Sequence, residues 1–427
     1  MAHIAPFRAL RYAVRTDGEL AARLAPPYDV ISPERRAALA ADPQNIVHLD
    51  LPESGEPGGA YAAAARLLDA WRRDGTLVLD RDPAFVVAEQ GFRDPSGALR
   101  RRRGFFARLR LEPLEGGSVL PHERTLAAPR RDREQLLAAT RTHLSAVFLL
   151  HEDASGEVAR ALETVASRPP EHELRDPDGA GLRLWRLAEP DLLARIAGRV
   201  GNGWTLIADG HHRYESALAY SQARRASGSD DAPDVLVYLV SAVDPGLTIG
   251  PIHRLVRGIA PIDAAKLAAA LDPFFVVERR PREQLAEAMR AAAGRPGVFA
   301  ILLPRDPSGL LLRWREGDER SRGPLESVPA PLRRLDVVLL HRLVFQEVLG
   351  LSPAQQAGAD HLDYVKDEAG LLRGVETAGC GVLLNPTPLD QVVDVSRKGL
   401  RLPPKSTFFL PKVPTGIVLD PIDTPSA

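Results

Sequence analysis

The sequence predicts an α/β or α+β protein with mixed sheets and helices. Helix-like and strand-like patterns alternate along the 427 residues, which is typical of these two classes. Apolar runs of strand type, such as 204–208 and 235–243, stand beside helical patterns. No repeat of solenoid period is visible. At roughly 100–200 residues per domain, the length fits two or three domains or one large composite.

Local signals predict the elements in order. An alanine-rich segment that closes at 74–75 predicts a helix with a stop signal. A turn at 94–97 separates two strand patterns and predicts a hairpin, and we expect the four arginines at 100–103 to be solvated. The predicted elements are helices at 61–73, 132–140, 156–167 and 211–225, strands at 85–92, 104–111, 146–150, 182–187, 204–208 and 235–243, and strand–helix pairs through 263–277, 282–303 and 335–349.

Proline and glycine mark the candidate domain boundaries, near 113–121, 167–180 and 258–263. We therefore expect three regions. They are an N-terminal α/β region at 1–120, a central region at 121–260, and a C-terminal α/β region at 261–427 whose proline-rich end wraps over the fold.

Composition excludes several classes of protein. The net charge is −1, and non-specific nucleic-acid binding would need a basic excess, so no nucleic-acid partner is expected. No apolar run approaches about 18 residues, so no membrane span is expected. The first residues lack a signal-peptide pattern, and we expect a cytoplasmic location. The single cysteine, Cys380, excludes an intramolecular disulfide and multi-cysteine metal sites.

Lysine is rare among the basic residues of this chain. Of the 55 basic residues only five are lysine, and the others are arginine. Three of the five, Lys398, Lys405 and Lys412, lie within one short stretch. Because lysine and arginine differ in shape and hydration, a retained lysine indicates a position that needs an ammonium group, with chance as the alternative.

The most informative string is Asp209-Gly210-His211-His212-Arg213, which follows an apolar strand and opens a helix. The first amides of a helix lack intrahelical partners and carry partial positive charge, so an anion such as phosphate fits there. Gly210 permits close backbone approach, and Arg213 is a bidentate phosphate donor. The two histidines can donate hydrogen bonds or shuttle protons. Asp209 can cap the helix or bind a metal.

The alternative for this string is a capped helix with surface histidines. Adjacent side chains on a helix point in different directions, so His211 and His212 cannot serve one small site equally. Even so, four useful polar groups in five positions after an apolar strand favour a functional site.

This string resembles the signature of a widespread prokaryotic domain-of-unknown-function family. The octapeptide 208–215 is the specific element, and four other stretches support it. These stretches are Pro26-Pro27-Tyr28-Asp29-Val30-Ile31-Ser32, Pro121-His122-Glu123-Arg124-Thr125, Pro251-Ile252-His253-Arg254 and Pro404-Lys405-Ser406-Thr407-Phe408-Phe409. The resemblance covers nearly the whole chain, but it implies no assigned activity.

A second resemblance indicates which ligand the turn would bind. The turn at 209–213 resembles the phosphate-binding motif of the ParB/sulfiredoxin-like superfamily, which includes nucleotide-dependent free-serine kinases, sulfiredoxin and the CTP-dependent ParB clamps. In these proteins the motif holds nucleotide phosphates at a helix N-terminus. The resemblance implies a nucleotide-binding unit of this type within the central region. The matching stretch here contains no cysteine, which argues against sulfiredoxin activity, and no basic recognition helix accompanies it.

Further candidates surround this turn in the sequence. Glu123 is the candidate general base for an acceptor hydroxyl, with a structural ion pair as the alternative. His122, the preceding residue, is a candidate for substrate binding. Tyr28 and Asp29 follow a rigid proline pair and are candidates for substrate binding, with a turn cap as the alternative for Asp29. A magnesium ligand is a further candidate role for Asp29.

Two more pairs of residues lie later in the chain. His253 and Arg254 are candidates for a second phosphate, and a surface pair is the alternative. Lys405 and Ser406 lie in the stretch that retains lysine, and we expect this arm to close over the nucleotide.

The function predicted from these residues is transfer of a phosphoryl group between a nucleotide, ATP or ADP, and a small hydroxyl compound, with serine or phosphoserine as the candidate. Mg²⁺ is expected as a partner of the phosphates rather than as a caged ion. Two alternatives stay open. One is a nucleotide-gated regulatory protein without turnover, and the other is a metal-assisted phosphatase built on Asp209, His211 and His212.

Overall fold

The computed structural model describes residues 1–53, 59–125, 127–229, 232–260, 262–357 and 360–423. It confirms the mixed α/β class. The helices are α1 (Asp17–Arg23), α2 (Pro33–Leu39), α3 (Val47–Asp50), α4 (Ala60–Arg73), α5 (Ala127–Thr140), α6 (Glu157–Ala166), α7 (Pro190–Gly201), α8 (His211–Ala226), α9 (Ala264–Leu271), α10 (Arg282–Ala291), α11 (Glu319–Glu326), α12 (Asp336–Leu339), α13 (Pro353–Ala357), α14 (Glu368–Val375) and α15 (Leu389–Arg397). A π-helix, Leu340–Val348, continues α12. None of the helices in the described ranges has the length and apolar character needed to cross a membrane.

The strands form one large sheet, one sheet of six strands and three two-stranded pairs within the described residues. They are β1 (Ile4–Ala5), β2 (Leu10–Tyr12), β3 (Leu77–Leu79), β4 (Phe85–Arg93), β5 (Leu99–Arg110), β6 (Val119–Leu120), β7 (Thr142–His143), β8 (Val147–His151), β9 (His172–Arg175), β10 (Gly181–Leu187), β11 (Thr205–Asp209), β12 (Asp234–Ser241), β13 (Thr248–Gly250), β14 (His253–Val256), β15 (Phe275–Pro281), β16 (Val298–Leu302), β17 (Ser308–Trp314), β18 (Leu362–Val365), β19 (Cys380–Leu383), β20 (Phe408–Leu410) and β21 (Asp420–Pro421). The predicted hairpin at 85–111 is present as β4 and β5.

The chain packs as two compact units. One unit takes the described residues of Met1–Thr248 and Pro411–Ala427, and the other takes those of Ile249–Leu410. This arrangement differs from the three expected regions at 1–120, 121–260 and 261–427. The expected domain boundary at residue 120 does not separate two sheets. The strand just before it, β6, pairs with β11 from the expected central region. The C-terminal residues return to the first unit, so the expected third region is not one compact body.

The first unit is built on the nine-stranded sheet, whose path is β6-β11-β8-β12-β5-β4-β10-β9 with β1 on β5. Most of its pairs are antiparallel, while β11 is parallel to β6 and β12 is parallel to β8. Alternate residues of the strands, such as Phe105, Val147 and Val237, share one apolar core with side chains of α6, α7 and α8. The helices therefore cover one face of the sheet.

The opposite face of this sheet carries buried polar groups. Arg102, from the arginine run that we expected to be solvated, is fully buried. The alternation of side chains along β5 places it on the same face as Phe106 and Arg108, four and six residues further on. Arg108 donates to both carboxylate oxygens of Asp420, at 2.7 Å for the closest contact. A buried ion pair thus ties the C-terminal residues to the centre of the sheet.

The second unit contains an antiparallel sheet of six strands in the order β15-β17-β16-β19-β14-β18. Side chains from α10 and α14, including Leu285, Met289 and Leu371, pack with its strands in a separate core. Cys380 lies at the start of β19, where burial raises the pKa of its thiol to about 12.

The buried pair of Arg108 and Asp420 predicts a large effect of one substitution. Asp420→Ala removes the carboxylate from a site where both side chains are under 5% exposed, so we expect a loss of about 3–5 kcal/mol in the free energy of unfolding. Urea unfolding measures it. Asp423→Ala is the control, because Asp423 pairs with Arg141 at the surface and should cost under about 1 kcal/mol. Equal effects of the two substitutions would contradict the role of the buried pair.

Candidate functional site

A β-bulge sets the direction of Asp209. Ile207 of β11 pairs with Leu149 of β8, but Asp209 pairs with Phe148, so Ala208 is the extra residue. Without the bulge, Asp209 would lie on the same face as Ile207, in the helix-covered core. The bulge moves the carboxylate to the other face, beside Phe148. Bulges of this kind commonly redirect a side chain next to a functional site.

The turn into α8 depends on Gly210. This residue has φ of +92°, in the left-handed region that favours glycine. A Cβ atom there would lie 2.9 Å from two nitrogens of Arg213, so the guanidinium rests against the glycine. The helix begins at His211, and the amide of Tyr214 donates to the Gly210 carbonyl at 3.0 Å. The predicted strand, Asp-Gly turn and helix are therefore confirmed.

Asp209 lies between two cations. One carboxylate oxygen accepts from the Arg213 guanidinium at 2.8 Å, and the other is in an ion pair with the ammonium of Lys412. Arg213 also donates to the carbonyl of Ala146. Burial alone would raise the pKa of Asp209, but Lys412 and Arg213 outweigh it, so the pKa is lowered and the carboxylate stays charged.

Lys412 is a site residue that the sequence interpretation did not assign. Gln90 donates to its carbonyl at 2.9 Å, and Arg102 donates to the preceding carbonyl of Pro411 at 2.7 Å. The Arg102 guanidinium lies 4.6 Å from the ring centre of Phe148. The rarity of lysine was the available signal, because Lys412 belongs to the stretch in which lysine is retained.

A pair of imidazoles lies beside the start of α8. The ring centres of His122 and His211 are 4.6 Å apart and the rings are nearly perpendicular. His122 Nδ1 lies 2.7 Å from the Ile207 carbonyl, and a carbonyl only accepts, so this nitrogen carries the proton. The backbone amide of His122 donates to Nε2 of His211 at 3.2 Å, which assigns the proton of a neutral His211 to Nδ1. Both histidines are buried.

The loop that contains His122 and Glu123 is joined to α8. Thr125 donates to the carboxylate of Glu215, and Ser216 donates to the Arg130 carbonyl at 2.7 Å. Glu123 is half-buried in this loop, and so is His212 at the second position of the helix. Glu123 directly follows His122, whose ring and amide contact His211.

A second charged cluster includes Tyr28. The Arg133 guanidinium lies 4.1 Å from the Tyr28 ring centre and donates to Asp50 at 3.0 Å. Burial raises the pKa of the Tyr28 hydroxyl to about 12, although Arg213 and Arg133 oppose this. Burial also raises the pKa of Asp50 against the same two arginines. Tyr28, Asp50 and Arg213 are therefore electrostatic neighbours, while Asp29 is exposed.

Four predicted site residues lie in the second unit. His253 is buried, accepts from the Leu384 amide at 3.2 Å, and has a pKa lowered to about 4 chiefly by burial. Arg254 is fully buried and donates to the carbonyls of Ile252 and Lys405. Both residues are buried, so the alternative of an exposed surface pair, left open by the sequence, is wrong. Ser406 donates to the Pro403 carbonyl.

The described residues offer no ready metal centre. They contain no group of three or more histidine, cysteine, aspartate or glutamate side chains placed to hold an ion. Asp209 is shared by Lys412 and Arg213 instead, which disfavours the phosphatase alternative based on a metal bound by Asp209, His211 and His212. The expected Mg²⁺ stays a prediction.

These features define a mixed α/β protein with a charged strand–helix turn on its large sheet. The chain belongs to the family described as "Protein of unknown function (DUF1015)", whose model matches residues 4–338. Lys412 lies outside that matched segment. No curated protein matches the chain.

Several solved structures are similar to parts of this chain. A conserved hypothetical protein from Pyrococcus furiosus is 14% identical, with 75% of this chain and 97% of that chain covered and a TM-score of 0.34. A free serine kinase in complex with AMP is 12% identical, with 72% and 87% covered and a TM-score of 0.33. SbnI with a C-terminal truncation, from Staphylococcus aureus, is 12% identical, with 72% and 85% covered and a TM-score of 0.35. We derive no residue correspondence from these likenesses.

The glycine at the turn predicts a difference between two matched substitutions. Gly210→Ala and Gly228→Ala each place a Cβ on a residue with φ near +90°, which costs roughly 1–2 kcal/mol of strain. At Gly228 no atom lies within 4 Å of the new Cβ, whereas at Gly210 the Arg213 guanidinium must move. We therefore expect the larger loss of stability for Gly210→Ala in thermal unfolding. Equal losses would show that the contact with Arg213 does not hold the turn.

Proposed function

We propose that this protein is a nucleotide-dependent phosphotransferase that acts on a small hydroxyl compound, with serine as the candidate acceptor. The observation that carries the proposal is the group at the start of α8, where the Asp209 carboxylate is held between Arg213 and Lys412 next to the imidazoles of His122 and His211. The resemblance of this turn to the phosphate-binding motif of the ParB/sulfiredoxin-like superfamily supports the same chemistry.

In the proposal the phosphates of ATP or ADP bind at the first turn of α8. Amides of the first turn have no intrahelical acceptor and carry partial positive charge, which favours an anion. Gly210 brings the backbone of this turn close to the phosphate, and His211 and His212 add donors. Lys412 and the buried Arg102 add positive charge on the same face of the sheet as Asp209.

Arg213 has a different part in the proposal from the direct phosphate contact expected from the sequence. Its two terminal nitrogens already donate to Asp209 and to the Ala146 carbonyl. It therefore positions Asp209 and the start of the helix, and it adds positive charge at short range. Asp209 in turn orients the Lys412 ammonium.

The transfer step needs a base for the acceptor. The hydroxyl oxygen attacks the terminal phosphorus, the bond between that phosphorus and the leaving nucleotide oxygen breaks, and the hydroxyl proton passes to Glu123. Positioning and charge stabilisation supply most of the catalysis in such a reaction. Mg²⁺ would accompany the phosphates and neutralise the charge that develops on the leaving oxygen.

The remaining predicted roles stand as parts of the proposal. Tyr28 and Asp29 are the proposed substrate-binding residues from the N-terminal turn, and Tyr28 lies next to Arg133. The roles expected from the sequence for His253 and Arg254 at a phosphate, and for Lys405 and Ser406 at a nucleotide, stay predictions for the second unit. A cytoplasmic location and the absence of a nucleic-acid partner stay predictions.

The direct test of this function uses the whole protein with ATP or ADP, Mg²⁺ and L-serine. We expect O-phosphoserine to form in step with nucleotide consumption, measured by ³¹P NMR. Nucleotide binding without consumption would contradict the phosphotransferase and favour the regulatory alternative. Release of inorganic phosphate from O-phosphoserine in the absence of nucleotide would favour a phosphatase.

Substitution of Lys412 should specifically weaken nucleotide binding. Lys412→Ala removes one ammonium from the phosphate site, and a hydrogen bond to a charged group contributes about 1.5–3 kcal/mol, so we expect about 10- to 100-fold weaker ADP binding by calorimetry. Lys398→Ala is the matched control, because Lys398 is exposed and pairs with Asp394. Unchanged affinity after Lys412→Ala would remove this residue from the site.

Glu123 predicts a loss of turnover rather than of binding. Glu123→Gln keeps the size of the side chain but removes the base, and we expect kcat to fall by about 10²–10⁴-fold with little change in nucleotide affinity. Glu115→Gln, at an exposed position in the preceding loop, is the control. Equal kcat values for the two variants would show that another group accepts the proton.

A further inference from the structure

A small cavity in the first unit lies next to the proposed phosphate site. Its volume is about 40 Å³. The polar side chains that line it include Asp50, Arg133, Ser145, Arg213 and Ser216. By the same measure a single water needs about 10–15 Å³, so the cavity has room for a few non-hydrogen atoms.

Two buried polar atoms with complementary chemistry belong to residues that line this cavity. Asp50 Oδ2 is an acceptor without a hydrogen-bond partner among the described residues. Arg213 Nε is a donor that also has no hydrogen-bond partner among them. Asp50 is only 2% exposed. Buried polar groups in native proteins are nearly always satisfied, so this pair indicates a bound group that donates to Asp50 and accepts from Arg213.

The cavity wall is held in place by its neighbours. Arg133 donates to the side chain of Asp50 at 3.0 Å and to its carbonyl at 2.8 Å. The ring of Tyr28 covers the Arg133 guanidinium, and Asp132 pairs with its other terminal nitrogen at 2.6 Å. These contacts fix the Asp50 carboxylate, so its second oxygen, Oδ2, can accept a hydrogen bond from a ligand without a large rearrangement of the cavity wall.

Arg213 is shared by the cavity and the phosphate site. It lines the cavity, and it also donates to Asp209 and packs against Gly210 at the start of α8. A ligand in the cavity would thus contact a side chain that also belongs to the proposed phosphate site.

We propose that this cavity is the subsite for the head group of the acceptor, and that the head group is a zwitterion whose ammonium donates to Asp50 and whose carboxylate accepts from Arg213. A zwitterion meets two buried groups of opposite charge and adds no net charge to the interior. This inference rests on the proposed phosphotransferase, and it narrows the acceptors to small amino acids that carry a hydroxyl group.

The test uses three small compounds that share a hydroxymethyl group. L-serine has both charged groups, ethanolamine lacks the carboxylate, and 3-hydroxypropionate lacks the ammonium. Calorimetry on the wild-type protein with ADP present measures their affinities. We expect L-serine to bind about 10-fold or more tightly than either analogue, because each analogue leaves one charged group unpaired.

Variants then assign the ammonium contact. Asp50→Asn keeps the shape of the side chain and should weaken L-serine binding about 10-fold or more, with ADP binding changed by less than about 2-fold. Asp132→Asn is the matched control, because Asp132 also pairs with Arg133 but does not line the cavity. Because Asp132 is 43% exposed, its pair with Arg133 is weak, and Asp132→Asn should change L-serine affinity by less than about 2-fold.

The outcomes separate this inference from the proposed function. If ADP binds but L-serine does not, or if all three compounds bind equally, the cavity holds water or another group and the inference is wrong, while the phosphotransferase proposal keeps a different acceptor. If ADP itself does not bind, the proposed function fails first. Equal effects of Asp50→Asn and Asp132→Asn would also overturn the inference.

Discussion

The arrangement of the first unit depends on one half-buried carboxylate, Asp209, held between Arg213 and Lys412. Removing Asp209 from water would be unfavourable without both cations, and each cation would repel the other without the carboxylate. Through Arg213 the carboxylate fixes the start of α8, and through Lys412 it fixes a segment that is distant in sequence. Two cations therefore share one carboxylate in this group.

The elements around this group were predictable because their signals are local. The apolar run, the Asp-Gly turn and the helix from His211 follow from residues next to one another, and the hairpin of β4 and β5 follows from its turn. Glu123 and His122 were candidates in the sequence, and their roles at the site stay predictions. Their place in a loop joined to α8 required the pairing of β6 with β11, which no local pattern specifies.

Three features could not be read from the sequence because they depend on distant pairing. The bulge at Ala208 exists only in relation to the register of β8. Arg102 looked like a solvated residue in a basic run, but it is buried against Phe148 and donates to the carbonyl of Pro411. Lys412 contacts Asp209 across 203 positions of sequence, and only the rarity of lysine pointed to it. The two-unit packing has the same cause, since the C-terminal residues return to the first sheet.

Recognition of phosphate by the start of α8 can be tested by comparing the binding of ADP with that of adenosine. The two ligands share the base and the sugar and differ only in the phosphates, so calorimetry on the wild-type protein isolates the anionic contacts. We expect ADP to bind at least about 100-fold more tightly than adenosine, a difference of about 2.7 kcal/mol in binding free energy. Added salt should reduce this difference in affinity. Equal affinities, or no binding of ADP at any salt concentration, would contradict phosphate recognition by the start of α8.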